Sequence, residues 1–414
     1  MTSVAIRGGT HVTWPGTGPV RGEAMSSPSV TEDGVLYARD GKFEELAADQ
    51  PKVTIDATGH TVVPGFVDCH THLPFYGWRA DEDAARLSGV RYESLHRGEG
   101  GIFRSARLLE EAADHDVLRF SEELARSMLE AGTTAFEMKS GYGLTVEAEL
   151  RQLRLARDLA GSVPQAVTAT CLAAHAVPPG KSEGQWIGEA AEELLPAAAS
   201  EGLATACDVY VEKIAFSLEH AARLAEKAAS LGLRMRVHAD QLSDGQTGAF
   251  AARWGFDTAD HLNHTSADAV GDLAGAGTAA VLLPGATFTL RQSKKPLARD
   301  LVSSGAIVAL GSDLNPGTSP IHSMPFVMAL ACRVYGLRPL EALAASTVNS
   351  AYALGLADEV GRLAPGYRAD AVVLDLPTIE HLAYRPDANR VLAVLCRGSL
   401  VHTAPGFEER VKRG

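Results

Sequence analysis

The chain has 414 residues, a net charge of −13 at pH 7 and five cysteines. With 46% hydrophobic and 21% charged residues, its composition is that of a globular protein, which excludes disordered and collagen-like chains. The length corresponds to two or three domains, or to one large α/β barrel with a smaller appendage. The acidic balance argues against a nucleic-acid partner, because binding phosphate requires a basic face.

The cysteines are odd in number, widely separated and never in a CxxC pair, which favours a reducing compartment over a disulfide framework. No apolar run reaches the length of a transmembrane helix, and the first residues lack the pattern of a signal peptide. We therefore expect a cytoplasmic protein without a membrane partner.

Short strands and turns are predicted over residues 1–64, for example at Val35–Ala38, Val53–Asp56 and Thr61–Val63. From residue 65 to about residue 356, amphipathic helices alternate with apolar strands. Eight such alternations predict a (β/α)8 barrel of the TIM type. The predicted barrel strands are Phe66–Asp68, Thr134–Met138, Ala166–Ala169, Asp208–Val211, Met235–Val237, Thr258–Asp260, Ala280–Leu283 and Ile307–Leu310.

After a helix predicted over Pro339–Leu354, strands return at Ala371–Leu374 and Val391–Leu395. Both ends of the chain are therefore predicted to consist mainly of strands and turns, whereas strands alternate with helices in the middle. We predict that residues 1–64 and 357–414 together form a small β-sandwich domain. We also predict that residues 65–356 form the barrel, inserted between the two halves of that domain.

The strongest local signal is a His-x-His pair, His70 and His72, at the end of the first predicted barrel strand. Alternate residues of a strand point to the same side, so both imidazoles would face the barrel mouth, where barrel active sites lie. Two neutral imidazoles on one strand suit a single metal ion. Taken alone, the pair would more often be two surface histidines at the start of a loop.

Three later strand ends carry further metal-binding residue types, namely His238, His261 and Asp313. Each of them alone would be read as a residue of the barrel rim. Together with His70 and His72 they form a series along four strand ends that is hard to obtain by chance. We predict a mononuclear metal site with the ligands His70, His72, His238 and Asp313.

This ligand order, with a β-domain built from both termini, resembles the amidohydrolase superfamily and, within it, the imidazolonepropionase family. The His-x-His pair marks only the superfamily, whereas KSGYGL, AHAVP and DxNPG[ST]SP together are specific to the family. The resemblance covers nearly the whole chain. It rests on PGFVDCHTHL (64–73), GWR (77–79), EMKSGYGL (137–144), AHAVP (174–178), HADQL (238–242), ADHL (259–262), LPGA (283–286) and SDLNPGTSP (312–320).

The resemblance implies hydrolysis of the cyclic amide of 4-imidazolone-5-propanoate to N-formimidoyl-L-glutamate, a step of histidine degradation. It also implies one Zn²⁺ or Fe ion per subunit, which would lower the pKa of water toward about 7 and so supply a nucleophile. Asp313 would accept the proton of that water. His261 would polarise the carbonyl or move a proton, and a purely supporting role for His261 stays open.

The resemblance further implies that Arg79 binds the propanoate, because a guanidinium pairs with a carboxylate through two hydrogen bonds. Without the resemblance, Arg79 would be read as an exposed loop residue or as the ion-pair partner of Asp81. Contacts to the ring or the product are implied for Tyr142, His175, Gln241, Asn315, Gly317 and Thr318.

Gln241 favours ring opening over deamination. Related metal deaminases place a glutamate three residues after the fifth-strand histidine, whereas a glutamine cannot carry a proton at neutral pH. Lys139 lies one strand too early by our count to be the carboxylated lysine that bridges two metal ions in other relatives. We therefore interpret Lys139 as structural.

Departures from the family pattern, such as Asn263 and Leu314, leave a near-isosteric imidazolone acid or another small cyclic amide open as the substrate. A barrel that has lost catalysis and serves as an assembly subunit is disfavoured, because all four metal ligands are present. The family implies a homodimer.

Overall fold

The computed structural model of the chain describes residues 3–45, 50–90 and 100–414. The strands, numbered in chain order, are β1 (Ser3–Arg7), β2 (Thr10–Thr13), β3 (Ser29–Glu32), β4 (Val35–Arg39), β5 (Lys42–Glu44), β6 (Val53–Asp56), β7 (Thr61–Pro64), β8 (Phe66–Asp68), β9 (Thr133–Lys139), β10 (Ala166–Ala174), β11 (Ala206–Val211), β12 (Arg234–Ala239), β13 (Thr258–His261), β14 (Ala279–Leu282), β15 (Ile307–Leu310), β16 (Ala371–Leu374), β17 (Val391–Cys396), β18 (Ser399–Thr403) and β19 (Val411–Arg413).

Helices alternate with the strands of the middle segment. The α-helices are Ala80–Leu87, Gly101–Glu111, Asp114–Glu130, Val146–Ser162, Glu183–Glu189, Leu195–Ser200, Leu218–Ser230, Thr247–Trp254, Ala267–Ala276, Pro284–Thr289, Ala298–Ser303, Met324–Tyr335, Pro339–Ala345, Val348–Leu354 and Glu380–Tyr384. Residues Gly22–Ser26 and Glu408–Arg410 form 3₁₀ turns, and Ala190–Leu194 is π-helical. None of the described helices combines the length and the apolar character needed to cross a lipid bilayer.

Strands β8 to β15 pair in chain order as one parallel sheet of eight strands. The first and last strands meet just beyond their carboxyl ends, where Thr71 and Leu314 form a parallel bridge. There the Asp313 N–H donates to the His70 carbonyl and the His72 N–H donates to the Leu314 carbonyl, both at 2.9 Å. The predicted (β/α)8 barrel is confirmed, and the contact that joins its first and last strands runs through predicted metal ligands.

The strand order corrects the expected place of Lys139. This residue ends β9, the second barrel strand, and so lies two strands, not one, before the fourth strand β11. Its buried ammonium lies 2.7 Å from Asp208 Oδ2 and 2.9 Å from Glu137 Oε2. Burial alone would lower the pKa of Lys139, but these two carboxylates raise it above the ordinary value. The lysine is thus a charged partner inside the barrel, which agrees with a structural role.

Strands from both chain ends form two further sheets, with the orders β19-β6-β1-β4-β5 and β18-β17-β16-β7-β2-β3. Their facing sides share one apolar cluster that includes Ile6 and Ile55 from the first sheet and Val62 and Val373 from the second. The next residue along β7, Val63, belongs instead to the cluster shared with the barrel. Because neighbouring strand residues face opposite sides, the second sheet packs between the first sheet and the barrel. This confirms the sandwich built from both termini; 1–64, 357–414 and 65–356 stay our proposed domain limits.

The helix predicted over Pro339–Leu354 is in fact two helices that meet at Thr347, whose φ of −131° and ψ of −92° are not helical. The second helix turns toward the barrel wall. There Asn349 Nδ2 donates to the Val308 carbonyl at 2.8 Å, and Ser350 Oγ donates to the Leu310 carbonyl at 2.9 Å. These bonds with the last barrel strand account for the break.

Candidate active site

Five predicted residues converge at the carboxyl ends of the barrel strands. His72 Nε2 lies 3.3 Å from His70 Nε2 and 3.2 Å from Asp313 Oδ1. Donor atoms of His70, His72 and Asp313 all lie within 4.8 Å of one another, and so do those of His70, His238 and His261. The two sets share His70, so these five side chains form one buried cluster, which we call the histidine cluster.

The histidine cluster fits a metal ion. His70 Nδ1 lies 2.6 Å from Asp260 Oδ2, and His238 Nδ1 lies 3.1 Å from Asp208 Oδ2. In each case the protonated Nδ1 donates a hydrogen bond to the carboxylate. Nε2 is therefore unprotonated, and its lone pair is available to a cation. Among the described residues His238 Nε2 is buried without a hydrogen-bond partner. Imidazole and carboxylate donors of this kind suit Zn²⁺ and Fe equally.

Burial keeps three imidazoles of the cluster, those of His70, His72 and His261, neutral. It lowers the pKa of His70 and His72 well below the ordinary value and that of His261 to about 3. A metal binds the neutral imidazole, so these residues are held in the form that coordinates. Burial also raises the pKa of Asp313, and a bound cation would offset that rise.

Two residues of the cluster adopt a backbone conformation that side chains disfavour. The φ angles of His261 and Asp313 are +77° and +54°, in the left-handed region that non-glycine residues rarely occupy. Such strain costs about 1–3 kcal/mol per residue and concentrates at functional sites. For Asp313, its backbone bond to His70 and the hydrogen bond from Thr318 Oγ1 to Asp313 Oδ2 at 3.3 Å hold the conformation.

A cavity that opens to solvent lies beside the histidine cluster. The residues that line it are His72, Arg79, Ile102, Tyr142, His175, Tyr210, His238, Gln241, His261, Asp313, Asn315 and Thr318. All the predicted catalytic and substrate-contacting residues are on that lining except Gly317. Ile102 and Tyr210 line it as well, although sequence reasoning did not single them out.

Gly317 contributes to the site by leaving room for the Arg79 guanidinium. A Cβ at position 317 would lie 1.7 Å from an Arg79 guanidinium nitrogen, so only glycine lets the guanidinium lie against this loop. The guanidinium also donates to the Gly101 carbonyl and, at 3.1 Å, to Ser105 Oγ. Arg79, held by these contacts, is part of the cavity lining.

Arg79 is neither exposed nor paired with Asp81. It is 5% exposed and pairs with Glu82, with 3.2 Å between Arg79 Nε and Glu82 Oε2. Asp81 pairs instead with Arg104 at 2.6 Å. A buried cation held by one carboxylate keeps further donors for a second anion.

His175 and Tyr142 form another part of the cavity wall. The His175 ring stacks on His72, with 5.1 Å between centroids and 19° between planes, and Tyr142 lies 5.3 Å from His175. His175 Nδ1 lies 3.1 Å from the Gly141 carbonyl. A carbonyl only accepts, so Nδ1 carries the proton and Nε2 is left as an acceptor. Burial lowers the pKa of His175 well below its ordinary value, which keeps the ring neutral.

The loop after β15 is closed by Asn315. Its Oδ1 accepts from the backbone N–H groups of Gly317 and Thr318 at 2.8 and 2.7 Å, and its Nδ2 donates to the Asp313 carbonyl at 2.6 Å. The polar groups of Asn315 are thus engaged within the loop. A direct contact of Asn315, Gly317 or Thr318 with substrate stays a prediction.

Sequence reasoning missed the roles of Asp208 and Asp260, the carboxylates that orient His238 and His70. Both lie inside barrel strands and are fully buried. Burial raises the pKa of Asp208, but His238 and Lys139 outweigh this and lower it well below the ordinary value. A charged residue within an apolar strand was the available signal, since buried charges require partners.

The chain matches a family model described as the amidohydrolase family over residues 61–401. An imidazolonepropionase from Symbiobacterium thermophilum is 42% identical over 409 residues, which cover 96% of each chain. One from Cupriavidus pinatubonensis is 44% identical over 384 residues, or 90% of each chain.

Among solved structures, a triazine hydrolase from Arthobacter aurescens has a TM-score of 0.76 at 16% identity, over 99% of this chain and 98% of its own. At this identity the likeness concerns the fold alone. The match to the family model and the full-length likeness to curated relatives go further. The chain belongs to the amidohydrolase family and, within it, to the imidazolonepropionases.

Proposed function

We propose that the chain hydrolyses the ring amide of 4-imidazolone-5-propanoate and releases N-formimidoyl-L-glutamate, as its family membership implies. Water adds its oxygen to the amide carbonyl carbon, and the bond from that carbon to the ring nitrogen breaks. The nitrogen takes up a proton, and the carbonyl becomes the new carboxylate. No ammonia leaves, so the reaction is distinct from a deamination.

The observation that carries the proposal is the joint placement of the histidine cluster and Arg79 on one cavity. Arg79 is buried, and its guanidinium is pressed against Gly317. A buried guanidinium favours an anionic substrate, and a bidentate pair fixes the direction of the carboxylate. This favours an imidazolone acid over an uncharged cyclic amide.

We further propose that His70, His72, His238 and Asp313 hold one Zn²⁺ or Fe ion per subunit. Such an ion, when bound, polarises the carbonyl and lowers the pKa of water. Asp313 accepts the proton of the attacking water through its carboxylate. His261, neutral and at the cavity wall, hydrogen bonds the carbonyl oxygen or passes the proton to the leaving nitrogen.

The remaining contacts orient the ring. His175 Nε2 accepts a hydrogen bond from a ring N–H, and Tyr142 packs on the ring face. Gln241, an amide that both donates and accepts, binds a polar edge of the ring without carrying a proton. A homodimeric assembly in the cytoplasm completes the proposal, on the likeness to the family.

The test follows enzymatically prepared 4-imidazolone-5-propanoate by its ring absorbance, identifies the product by mass and assays ammonia. We expect the absorbance to fall, the product to carry the elements of one water, and no ammonia to appear. The matched control is the His238→Ala variant, which lacks one ligand of the cluster. Absence of turnover by the metal-loaded protein, or ammonia released in step with substrate loss, would refute the assignment.

A further inference from the structure

A buried glutamate outside the cavity holds the loop that carries Tyr142. Glu149 lies in the first turn of the helix Val146–Ser162 and is 1% exposed. Its Oε2 accepts from the Gly141 N–H at 2.7 Å, and its Oε1 accepts from the N–H groups of Gly143 and Leu144 at 2.7 and 3.0 Å. One carboxylate thus binds three backbone donors on both sides of Tyr142.

We propose that Glu149 is a positioning residue for recognition of the substrate ring. It holds the loop of residues 140–144 so that Tyr142 and His175 face the cavity. The inference rests on the proposed function, since it concerns the ring contacts of the same reaction.

The same helix holds Tyr142 through a second residue, one turn later. Gln152 Oε1 accepts from the Tyr142 N–H at 3.0 Å, while Gln152 Nε2 donates to the Pro74 carbonyl at 2.8 Å. Pro74 lies two residues after His72. The helix therefore fixes the ring-binding loop relative to the segment that bears two predicted metal ligands.

The loop has little room to move independently of His175. Gly141 has a φ of +115°, and a Cβ there would lie 2.9 Å from His175 Nδ1. A Cβ at Gly143 would lie 2.3 Å from the Glu149 backbone nitrogen. The loop is thus packed between the helix and His175, and the Gly141 carbonyl is also the group that lies 3.1 Å from His175 Nδ1. A shift of Gly141 must move or reorient the His175 ring.

The chemistry at this position requires a carboxylate. Three N–H donors meet two oxygens that only accept, and the start of a helix favours negative charge. Burial raises the pKa of Glu149 above its ordinary value, and hydrogen bonds from Ser140 and from the same backbone N–H groups offset only part of that rise. A glutamine of equal shape offers one acceptor oxygen, and its NH₂ group would face a backbone N–H, so one side of the loop loses its partner.

The experiment compares Glu149→Gln with Glu147→Gln in the metal-loaded enzyme. Glu147 lies in the same helical turn, but its side chain is 83% exposed. For Glu149→Gln we expect KM for 4-imidazolone-5-propanoate to rise about tenfold, the equivalent of one lost hydrogen bond to a charged group. The metal content per chain stays unchanged and kcat changes little. Glu147→Gln should match wild type in both constants.

A double-mutant cycle separates positioning from mere stabilisation. In a Tyr142→Ala/His175→Ala background, Glu149→Gln should raise KM no further, because the groups it positions are gone. In an Arg79→Ala background the full rise should remain. If Glu149→Gln does not fold, Glu149→Asp, whose shorter carboxylate cannot reach both sides of the loop, replaces it with the same expectations.

An unchanged KM with a lowered Tm, or an equal rise in both backgrounds, would overturn the positioning role of Glu149 while leaving the proposed function intact. Absence of turnover by the wild-type enzyme would instead overturn the proposed function, and this inference with it.

Discussion

The two halves of the cavity are built in different ways. In the histidine cluster, His238 belongs to a barrel strand, and the carboxylate that orients it, Asp208, comes from the neighbouring strand. On the substrate side, Arg79 and Tyr142 lie on loops. Each of these loop residues is held by a glutamate or glutamine that reaches it from a helix, as Glu82 reaches Arg79.

Hydrogen bonds between parallel strands set the register of His238 and His261, which lie on barrel strands. His70, His72 and Asp313 lie just past two strand ends, and backbone hydrogen bonds join those two segments. The substrate side, where Arg79 and Tyr142 lie on loops, has no such strand ladder. The positions of these residues depend on hydrogen bonds and ion pairs from individual side chains. We therefore expect substitutions in the cluster to remove metal and activity together. Substitutions on the loop side should weaken substrate binding and leave the metal in place.

The largest effect is expected for His238→Ala. Removing one of four ligands should lower both the metal content and kcat, the latter by more than about a thousandfold, since the chemical step loses its source of nucleophile. Asp208→Asn, which keeps the ligands but disturbs the orientation of His238, should lower metal affinity by about 10–100-fold. Metal analysis and steady-state kinetics on the same samples measure both.

His115→Ala is the control for this pair, because His115 is exposed and far along the chain from the cluster. Wild-type protein should contain close to one Zn or Fe per chain. Two ions per chain would contradict a mononuclear site, and normal metal content in His238→Ala would remove His238 from the ligand set.

An intermediate effect is expected for Arg79→Ala. KM should rise about 10–100-fold, as for loss of a charged hydrogen bond, with kcat little changed, because a contact to the tail is made equally in the ground and transition states. Gly317→Ala should change KM in the same direction, since its methyl group would occupy the place of the guanidinium. Steady-state kinetics on both variants are the measurement.

The results for Arg79→Ala and Gly317→Ala test the contrast between the histidine cluster and the substrate side of the cavity. Metal content should remain at the wild-type level in both variants. If KM stays unchanged in Arg79→Ala, the anionic tail is bound elsewhere. If metal is lost in either variant, the two halves are not independent.

The fold could be predicted wherever the signal is local. All eight predicted barrel strands are confirmed. Most of them are short, mainly apolar runs between helical segments, and this signal is local in the sequence. The single helix predicted over Pro339–Leu354 was wrong because neither glycine nor proline marks the break at Thr347. The break depends on bonds from Asn349 and Ser350 to the last barrel strand, which lie outside any local pattern.

The same distinction applies to the site. His70 and His72 stand out in the sequence because their spacing places them on one side of a strand end. Asp208 stands out only as a charge within an apolar strand, and that signal does not reveal its partner, which is distant in sequence. Glu149 does not stand out at all, because it holds backbone N–H groups, which have no residue signature. Partners of this kind become visible only when the strand register and the loop path are known.

The smallest effect concerns pH and the loop side. Burial lowers the pKa of His175 well below its ordinary value, so below about pH 6.5 the unfolded chain binds a proton at this residue that the folded protein does not. As the pH is lowered below 6.5, the free energy of unfolding should therefore decrease by up to about 1.4 kcal/mol per pH unit on account of His175. This contribution is fully present above pH 6.5 and is lost as the pH falls toward the folded pKa.

Urea unfolding of His175→Gln and wild type at pH 7.5 and 5.5, both with chelator, isolates this contribution. Asp68, whose pKa burial raises to about 7, acts in the opposite direction but equally in both proteins, so it cancels in the comparison. We expect the variant to lose less stability than wild type between the two pH values. Equal losses would mean that the His175 ring is protonated as readily in the folded protein as in water, and that its Nε2 is not held as an acceptor for the substrate ring.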